Sequence, residues 1–252
     1  MIKVTFFGSI LPQTMLFSVP FIAQYKFDDP DSSVHVTMRL GITNSIVTAE
    51  CDLSEDSHCA FTYAYVRAVD MARAITDVMA FKLGEGLIVI LDKFSDERNP
   101  EIQSIRINDP ELSPLCHSLD SDERFQQVCA AVCSNSALTL ALTDLLAANM
   151  NLHLATINCA RAVEGIRHII SPGADPNTSW ESLRRNLRID RGYLMLITDN
   201  SKKHRHGDRV RIGSATIKEI MKRSWIIMDR FIEFSLRGSL ELQEAEFPTL
   251  KG

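Results

Sequence analysis

The chain has 252 residues, of which 45% are hydrophobic and 23% charged, and a formal net charge of −5. This composition is typical of a globular protein and excludes a disordered or fibrous chain, and the length suffices for one large or two modest domains. No apolar run approaches the ~20 residues that cross a bilayer, and residues 1–7 alternate like a strand rather than a signal peptide. We therefore predict a cytoplasmic protein without membrane contact.

The charges are unevenly distributed along the chain. Residues 1–120 carry 9 Lys and Arg against 17 Asp and Glu, whereas residues 179–237 carry 14 against 7. A basic segment in an acidic protein indicates either an anionic partner or attraction between the two halves of the chain.

Residues 1–114 predict an α+β domain, with a mainly antiparallel sheet and one long helix. The helix covers about residues 59–83 and ends at Gly84. Strand-like alternation or β-branched composition occurs in six segments. Pro20 confines the second segment to a sheet edge or a bulge, and the last segment is the expected hairpin partner of the fifth. These segments are 2–7, 17–27, 34–40, 46–51, 86–91 and 102–107. The apolar face of the helix contains Tyr65, Val69, Ala72, Ile75 and Met79.

Residues 115–237 predict an all-helical bundle, and residues 238–252 a loosely held tail. The stretch Asp122–Met150 is rich in Ala and Leu. Thr178 and Glu181 have the spacing of a capping box, and Ser214 is placed to cap the last helix.

The six cysteines contain no Cys-x-x-Cys pair. We expect reduced, mostly buried thiols, because free cysteine behaves as a small hydrophobe. A zinc site at Cys129 and Cys133 is the alternative, and it would need two further ligands. We predict no metal and no cofactor.

The candidate catalytic residues, His206, Arg205 and Asn200, lie in the segment 198–208. Histidine titrates near neutral pH and can act as base or acid, and arginine can pair with a phosphate in a bidentate manner. Asn200 could position a hydroxyl group. These groups suit metal-free cleavage of a phosphodiester through a ribose 2′-OH.

The remaining candidates are basic residues that would bind phosphate. They are Lys202, Lys203, His204, Arg184, Arg185 and Arg188. The three arginines equally suit a solvated helix face, with RNA contact as the alternative. The basic residues before Gly207 also have a simpler reading, because a helix end favours both cations and a C-terminal glycine.

The order of elements in residues 120–237 resembles the HEPN (higher eukaryotes and prokaryotes nucleotide-binding) superfamily. The resemblance is carried by the helix 154–170, by 180–183 (Trp-Glu-Ser-Leu), by Tyr193 and Ile197, by Asn200, by 205–207 (Arg-His-Gly) and by a long closing helix. It implies a helical bundle that dimerises and binds RNA or a nucleotide, in many members as a metal-independent ribonuclease, with a role in stress or anti-phage defence. The N-terminal half is not covered by it.

One feature departs from the nuclease members, which are similar in having an arginine four to six residues before the histidine. Those positions here hold Asp199, Asn200 and Ser201. The departure favours RNA or nucleotide binding over efficient cleavage. A non-catalytic protein-interaction or scaffold module is the alternative function.

Overall fold

The structure is a computed structural model that describes residues 2–13, 16–19, 25–28, 33–105, 111–205 and 212–252, without the side chains of 203–205. The chain divides into two compact units, residues 1–107 (unit 1) and 108–252 (unit 2). Unit 1 is an antiparallel sheet with a long helix, and unit 2 is helical, as the sequence predicts.

The sheet of unit 1 has six strands in the order β2-β3-β4-β1-β5-β6, and all of its pairs are antiparallel. Its long central strands alternate buried and exposed residues, because one face packs on a core and the other does not. The strands are β1 (Ile2–Leu11), β2 (Tyr25–Asp28), β3 (His35–Thr43), β4 (Ile46–Leu53), β5 (Ile88–Asp96) and β6 (Gln103–Ser104).

Two predicted strands are confirmed only in part among the described residues. Within the segment 17–27, Val19 makes one antiparallel bridge with Ile42 and Tyr25–Asp28 forms β2, while residues 20–24 lie outside the described part. The hairpin partner of β5 is confirmed at Gln103 and Ser104, and residues 106–107 lie outside the described part. Both pairings lie at an edge of the sheet.

The helix of unit 1, α1 (His58–Leu83), packs through small side chains. Its buried residues recur every four positions: Ala60, Ala64, Ala68, Ala72 and Thr76. The buried stripe is therefore displaced from the apolar face that the sequence predicts, because Tyr65, Val69 and Ile75 are only partly buried beside it. Alanine lets the helix approach the sheet closely, and Tyr65 donates a hydrogen bond to the backbone oxygen of Leu91 at 3.0 Å. Gly84 ends the helix with φ 69°, as predicted.

Unit 2 contains six helices in its described residues. They are α2 (Asp122–Ser134), α3 (Ser136–Met150), α4 (Ala155–Ile170), α5 (Pro176–Leu187), α6 (Arg191–Arg205) and α7 (Ser214–Leu236). The predicted apolar stretch divides at Asn135, whose side chain accepts hydrogen bonds from Ala137 N and Leu138 N. Helix α4 buries Cys159, Val163 and Ile166 completely in the core of the bundle.

The predicted helix starts need two corrections. Asp175, not Thr178, caps α5, because its carboxylate accepts hydrogen bonds from Asn177 N and Thr178 N at 2.9 and 3.1 Å. Helix α7 begins after Gly213 without a side-chain cap, so Ser214 is its first residue.

The Asp175 cap gives a testable pH dependence. Hydrogen bonding by Thr178 lowers the pKa of Asp175 below 3.8, so its stabilisation is complete above the unfolded pKa and is lost as pH falls through the folded value. We expect Asp175→Ala to lower the unfolding temperature at pH 7, and Asp175→Asn, which keeps the cap without the charge, to do so less. Thermal unfolding at pH 7 and pH 3 measures this, and an Ala variant that loses as much at pH 3 as at pH 7 would contradict it.

The tail after α7 is held firmly, which corrects the prediction that it is loosely held. Leu242 is only 1% exposed, and Leu250 forms a parallel bridge with Ile189. The guanidinium of Arg230 donates to the backbone oxygen of Pro248 at 2.7 Å, and Gly252 N donates to the carboxylate of Asp190. Sequence reasoning missed these partners because each lies far away in the chain.

All six cysteines are free thiols, but Cys59, Cys129 and Cys133 are exposed. The prediction of mostly buried thiols is therefore wrong. Burial raises the pKa of Cys51 to about 12 and that of Cys159 to about 11, so both remain protonated at neutral pH.

Candidate functional site

The segment singled out from the sequence begins on a helix. Helix α6 continues to Arg205, so Thr198–Arg205 forms its last two turns. The helix is anchored by Tyr193, Leu194 and Ile197, which are at most 6% exposed. His206 lies outside the described residues, and so do the side chains of Lys203, His204 and Arg205. For residues 203–205 the structure therefore describes the backbone alone.

Asn200 is half-buried on α6. Its amide nitrogen donates to the backbone oxygen of Leu196 at 2.7 Å, which fixes the orientation of the side chain. Positions five apart in a helix differ by about 140° around the axis, so Asn200 and position 205 do not share one face. The role predicted for Arg205 and His206 stays a prediction, because the side chain of Arg205 and all of His206 lie outside the described part of the chain.

Lys202 is an exposed cation with one acidic neighbour. Its ammonium lies 2.6 Å from the carboxylate of Asp199, and the two side chains are 68% and 45% exposed. Such an exposed pair contributes little stability, and a phosphate can compete with Asp199 for this ammonium.

The three arginines at the end of α5 differ in how closely acidic side chains approach them. Arg188 lies 2.7 Å from Glu244 and 3.7 Å from Glu241 in the tail, and Arg185 lies 3.9 Å from Glu241. Arg184 has no acidic partner within the described residues. Of these three arginines, Arg185 and Arg188 thus lie near tail carboxylates with which a phosphate would have to compete, as it would with Asp199 at Lys202.

The charged residues of α4 also make contacts that the sequence did not indicate. The guanidinium of Arg167 lies 4.7 Å from the centre of the Trp180 ring and 2.9 Å from His168 Nε2. Arg161 pairs with Asp144 at 3.3 Å. These contacts join α4 to its neighbours and support a structural role.

Sequence reasoning also missed a buried polar group on α7. Asp229, Arg230 and Glu233 are 6–8% exposed. The carboxylate of Asp229 accepts hydrogen bonds from Ser118 N and Oγ at 2.8 and 2.7 Å, and Glu233 pairs with Arg124 and Arg237. Helix α7 thereby fixes the segment before α2 as well as the tail. The only signal in the sequence is that charged residues interrupt an apolar stripe.

Metal ligation and membrane crossing find no support among the residues that the structure describes. No three His, Cys, Asp or Glu side chains there are placed to hold a metal ion. No single described helix has the length and apolar composition to cross a membrane. The pair α2 and α3 passes that test only when taken together, and the two helices meet at 109°.

Fold and site together define a two-unit protein, an α+β unit followed by a helical bundle with a basic helix end. Residues 4–104 match the family model described as the N-terminal domain of a domain of unknown function, DUF8168. Residues 125–236 match the model of its C-terminal domain. Both units are therefore similar to the two domains of that family. No curated protein and no solved structure matches the chain.

Proposed function

We propose that unit 2 is an HEPN-like bundle that binds phosphate groups of RNA or of a nucleotide at the C-terminal end of α6. The observation that carries the proposal is the continuation of α6 to Arg205. Four consecutive basic or histidine residues, 202–205, thereby follow directly on the part of α6 that is anchored by the buried Tyr193, Leu194 and Ile197. Clustered Lys and Arg on one element are typical of a nucleic-acid contact. In this proposal the protein acts as a homodimer and serves in defence, as the resemblance implies, and it is cytoplasmic, as its apolar pattern predicts.

At this end of α6 the proposal favours phosphate binding over cleavage. Lys202 contributes an exposed ammonium whose described partner is Asp199. If RNA is cleaved, His206 acts as general base or acid and Arg205 stabilises charge on the phosphate. The absence of an arginine at positions 199–201 favours binding without efficient cleavage.

The proposal predicts a salt-dependent loss of RNA affinity in Lys202→Ala. One lost phosphate contact lowers the slope of log affinity against log salt by about 0.7 for a single strand. Binding of a labelled single-stranded RNA at several salt concentrations measures it, with Lys82→Ala in unit 1 as the matched control. Incubation of wild type and His206→Ala with RNA in EDTA measures cleavage in parallel.

The outcomes separate the versions of the proposal. RNA cut by wild type but not by His206→Ala establishes metal-free cleavage, and intact RNA with a reduced slope in Lys202→Ala establishes binding alone. Equal slopes for Lys202→Ala and Lys82→Ala would show that the end of α6 does not contact RNA.

A protein-interaction module is the second candidate function, and one observation favours it. Helix α3 and the turn after it expose large apolar side chains that a monomer would ordinarily cover. These are Leu140, Leu146, Met150, Leu152 and Leu154, between 42% and 67% exposed. Wild-type protein that binds no RNA at low salt would favour this function over the first.

A further inference from the structure

Unit 2 contains a cavity of about 270 Å³ at the end of the bundle. Its walls come from α2, α3, α4, α7 and the segment after α7. The lining residues are Ala131, Ser134, Asn135, Leu138, Ile169, Ile170, Phe231, Phe234, Ser235 and Ser239. The position is distinct from the end of α6, so an inference about this cavity does not depend on the proposed function.

The floor of the cavity is apolar and the rim is hydroxylated. Leu138, Phe231 and Phe234 are at most 5% exposed, and the two phenyl rings lie 6.2 Å apart. At the rim, the hydroxyls of Ser134 and Ser235 donate to the backbone oxygens three and four residues earlier. Their oxygen lone pairs therefore remain as acceptors for a hydrogen-bond donor.

The electrostatics of the cavity favour a cation. Ser134 ends α2, Ile170 ends α4, and Ser235 lies one residue before the end of α7, so three helix carbonyl ends with partial negative charge meet there. The last turns of α2 and α7 contain no basic residue.

Two neighbouring groups that would oppose a cation are already engaged. Arg167, in the last turn of α4, stacks on Trp180 of α5. The positive N-terminus of α3 also borders the cavity, but its first amides are capped by the side chain of Asn135. Arg167 keeps its positive charge but does not line the cavity, and neither do the nearby His168 and Arg237. Arg237 is moreover paired with Glu233 and Glu246.

We propose that this cavity binds a small organic ammonium compound. The ammonium group would donate hydrogen bonds to the serine oxygens at the helix ends, and aromatic rings attract such cations. Its hydrocarbon part would cover Leu138 and the two phenylalanine rings. The volume lies just below the roughly 300 Å³ at which pockets for drug-sized ligands begin, which suits a small compound.

The test compares two probes of similar size with the full-length protein. Phenethylammonium carries the charge, and 2-phenylethanol replaces the ammonium by a neutral hydroxyl. Ligand-observed NMR titration at pH 7 should show saturable binding of phenethylammonium and at least severalfold weaker binding of the alcohol. Equal affinities, or no saturation by phenethylammonium at millimolar concentration, overturn the proposal.

Substitutions at Ser134 test where the ammonium group binds. This residue is exposed, so we expect the bundle to remain folded when it is changed. Ser134→Lys should weaken phenethylammonium binding about two- to fivefold and Ser134→Asp should strengthen it by a similar factor, the range expected for one charge at a helix end. Thr143→Lys and Thr143→Asp, on the exposed side of α3, are the matched controls, and circular dichroism verifies the fold of each variant. If both Ser134 variants change the affinity for phenethylammonium in the same direction, or if the Thr143 variants change it as much, the ammonium group does not bind in this cavity.

Discussion

Replacing Gly8 with alanine is expected to unfold unit 1 or to destabilise it by about 3 kcal/mol or more. Gly8 lies in β1, between β4 and β5, where the pairing with β5 shifts register after Phe7. A Cβ atom at this position would overlap the backbone oxygen of Ile90 and lie 2.7 Å from the Cα atom of Leu91. Because the obstacle is backbone in a neighbouring central strand, it cannot rotate away as a side chain would.

The effect is measured by thermal unfolding and by protease resistance of unit 1. Gly86→Ala is the matched control, since a Cβ atom there meets nothing within 4 Å, and it should be neutral or slightly stabilising. An unfolding temperature of Gly8→Ala equal to that of Gly86→Ala would refute the close approach of β1 and β5.

Replacing Arg230 with methionine should destabilise unit 2 by about 3–5 kcal/mol. The side chain is 8% exposed, and it donates to the backbone oxygens of Leu187, Arg188 and Pro248 at 2.9, 2.9 and 2.7 Å. Methionine fills similar space but leaves three acceptors without this donor. The tail should detach first, because Pro248 belongs to it.

Urea unfolding measures the loss of stability, and cleavage by a glutamate-specific protease at Glu241 and Glu244 reports on the tail. Arg161→Met is the control, because Arg161 is 61% exposed and its pair with Asp144 should contribute less than about 1 kcal/mol. Protection of the tail in Arg230→Met equal to that in the control would show that other contacts hold it.

The architecture was predictable because it depends on local patterns. Alternation in β3 and β4 marks a sheet with one buried face, and Gly84 marks the end of α1 through its left-handed conformation. The buried face of α1 was displaced because alanine carries little weight in an apolar pattern, although its small size is what allows close packing. Asp175 was passed over as a cap because the Thr178 and Glu181 spacing matched a familiar motif.

The candidate site was less predictable because ion pairs join residues far apart in the chain. The sequence predicts that Arg185 and Arg188 bind phosphate, whereas the structure places Glu241 and Glu244 beside them. Nothing in local spacing indicates that a segment about fifty residues later returns to α5.

The outer strands of the sheet in unit 1 have a consequence for self-association. A sheet edge offers unpaired backbone donors and acceptors to which a strand of another molecule can add, and natural proteins limit this by keeping edge strands short or charged. Strand β2 has four residues, with Lys26 between Tyr25 and Phe27, and β6 has two. In the part of the chain that the structure describes, neither strand is the long, flat, apolar edge on which intermolecular β-aggregation begins.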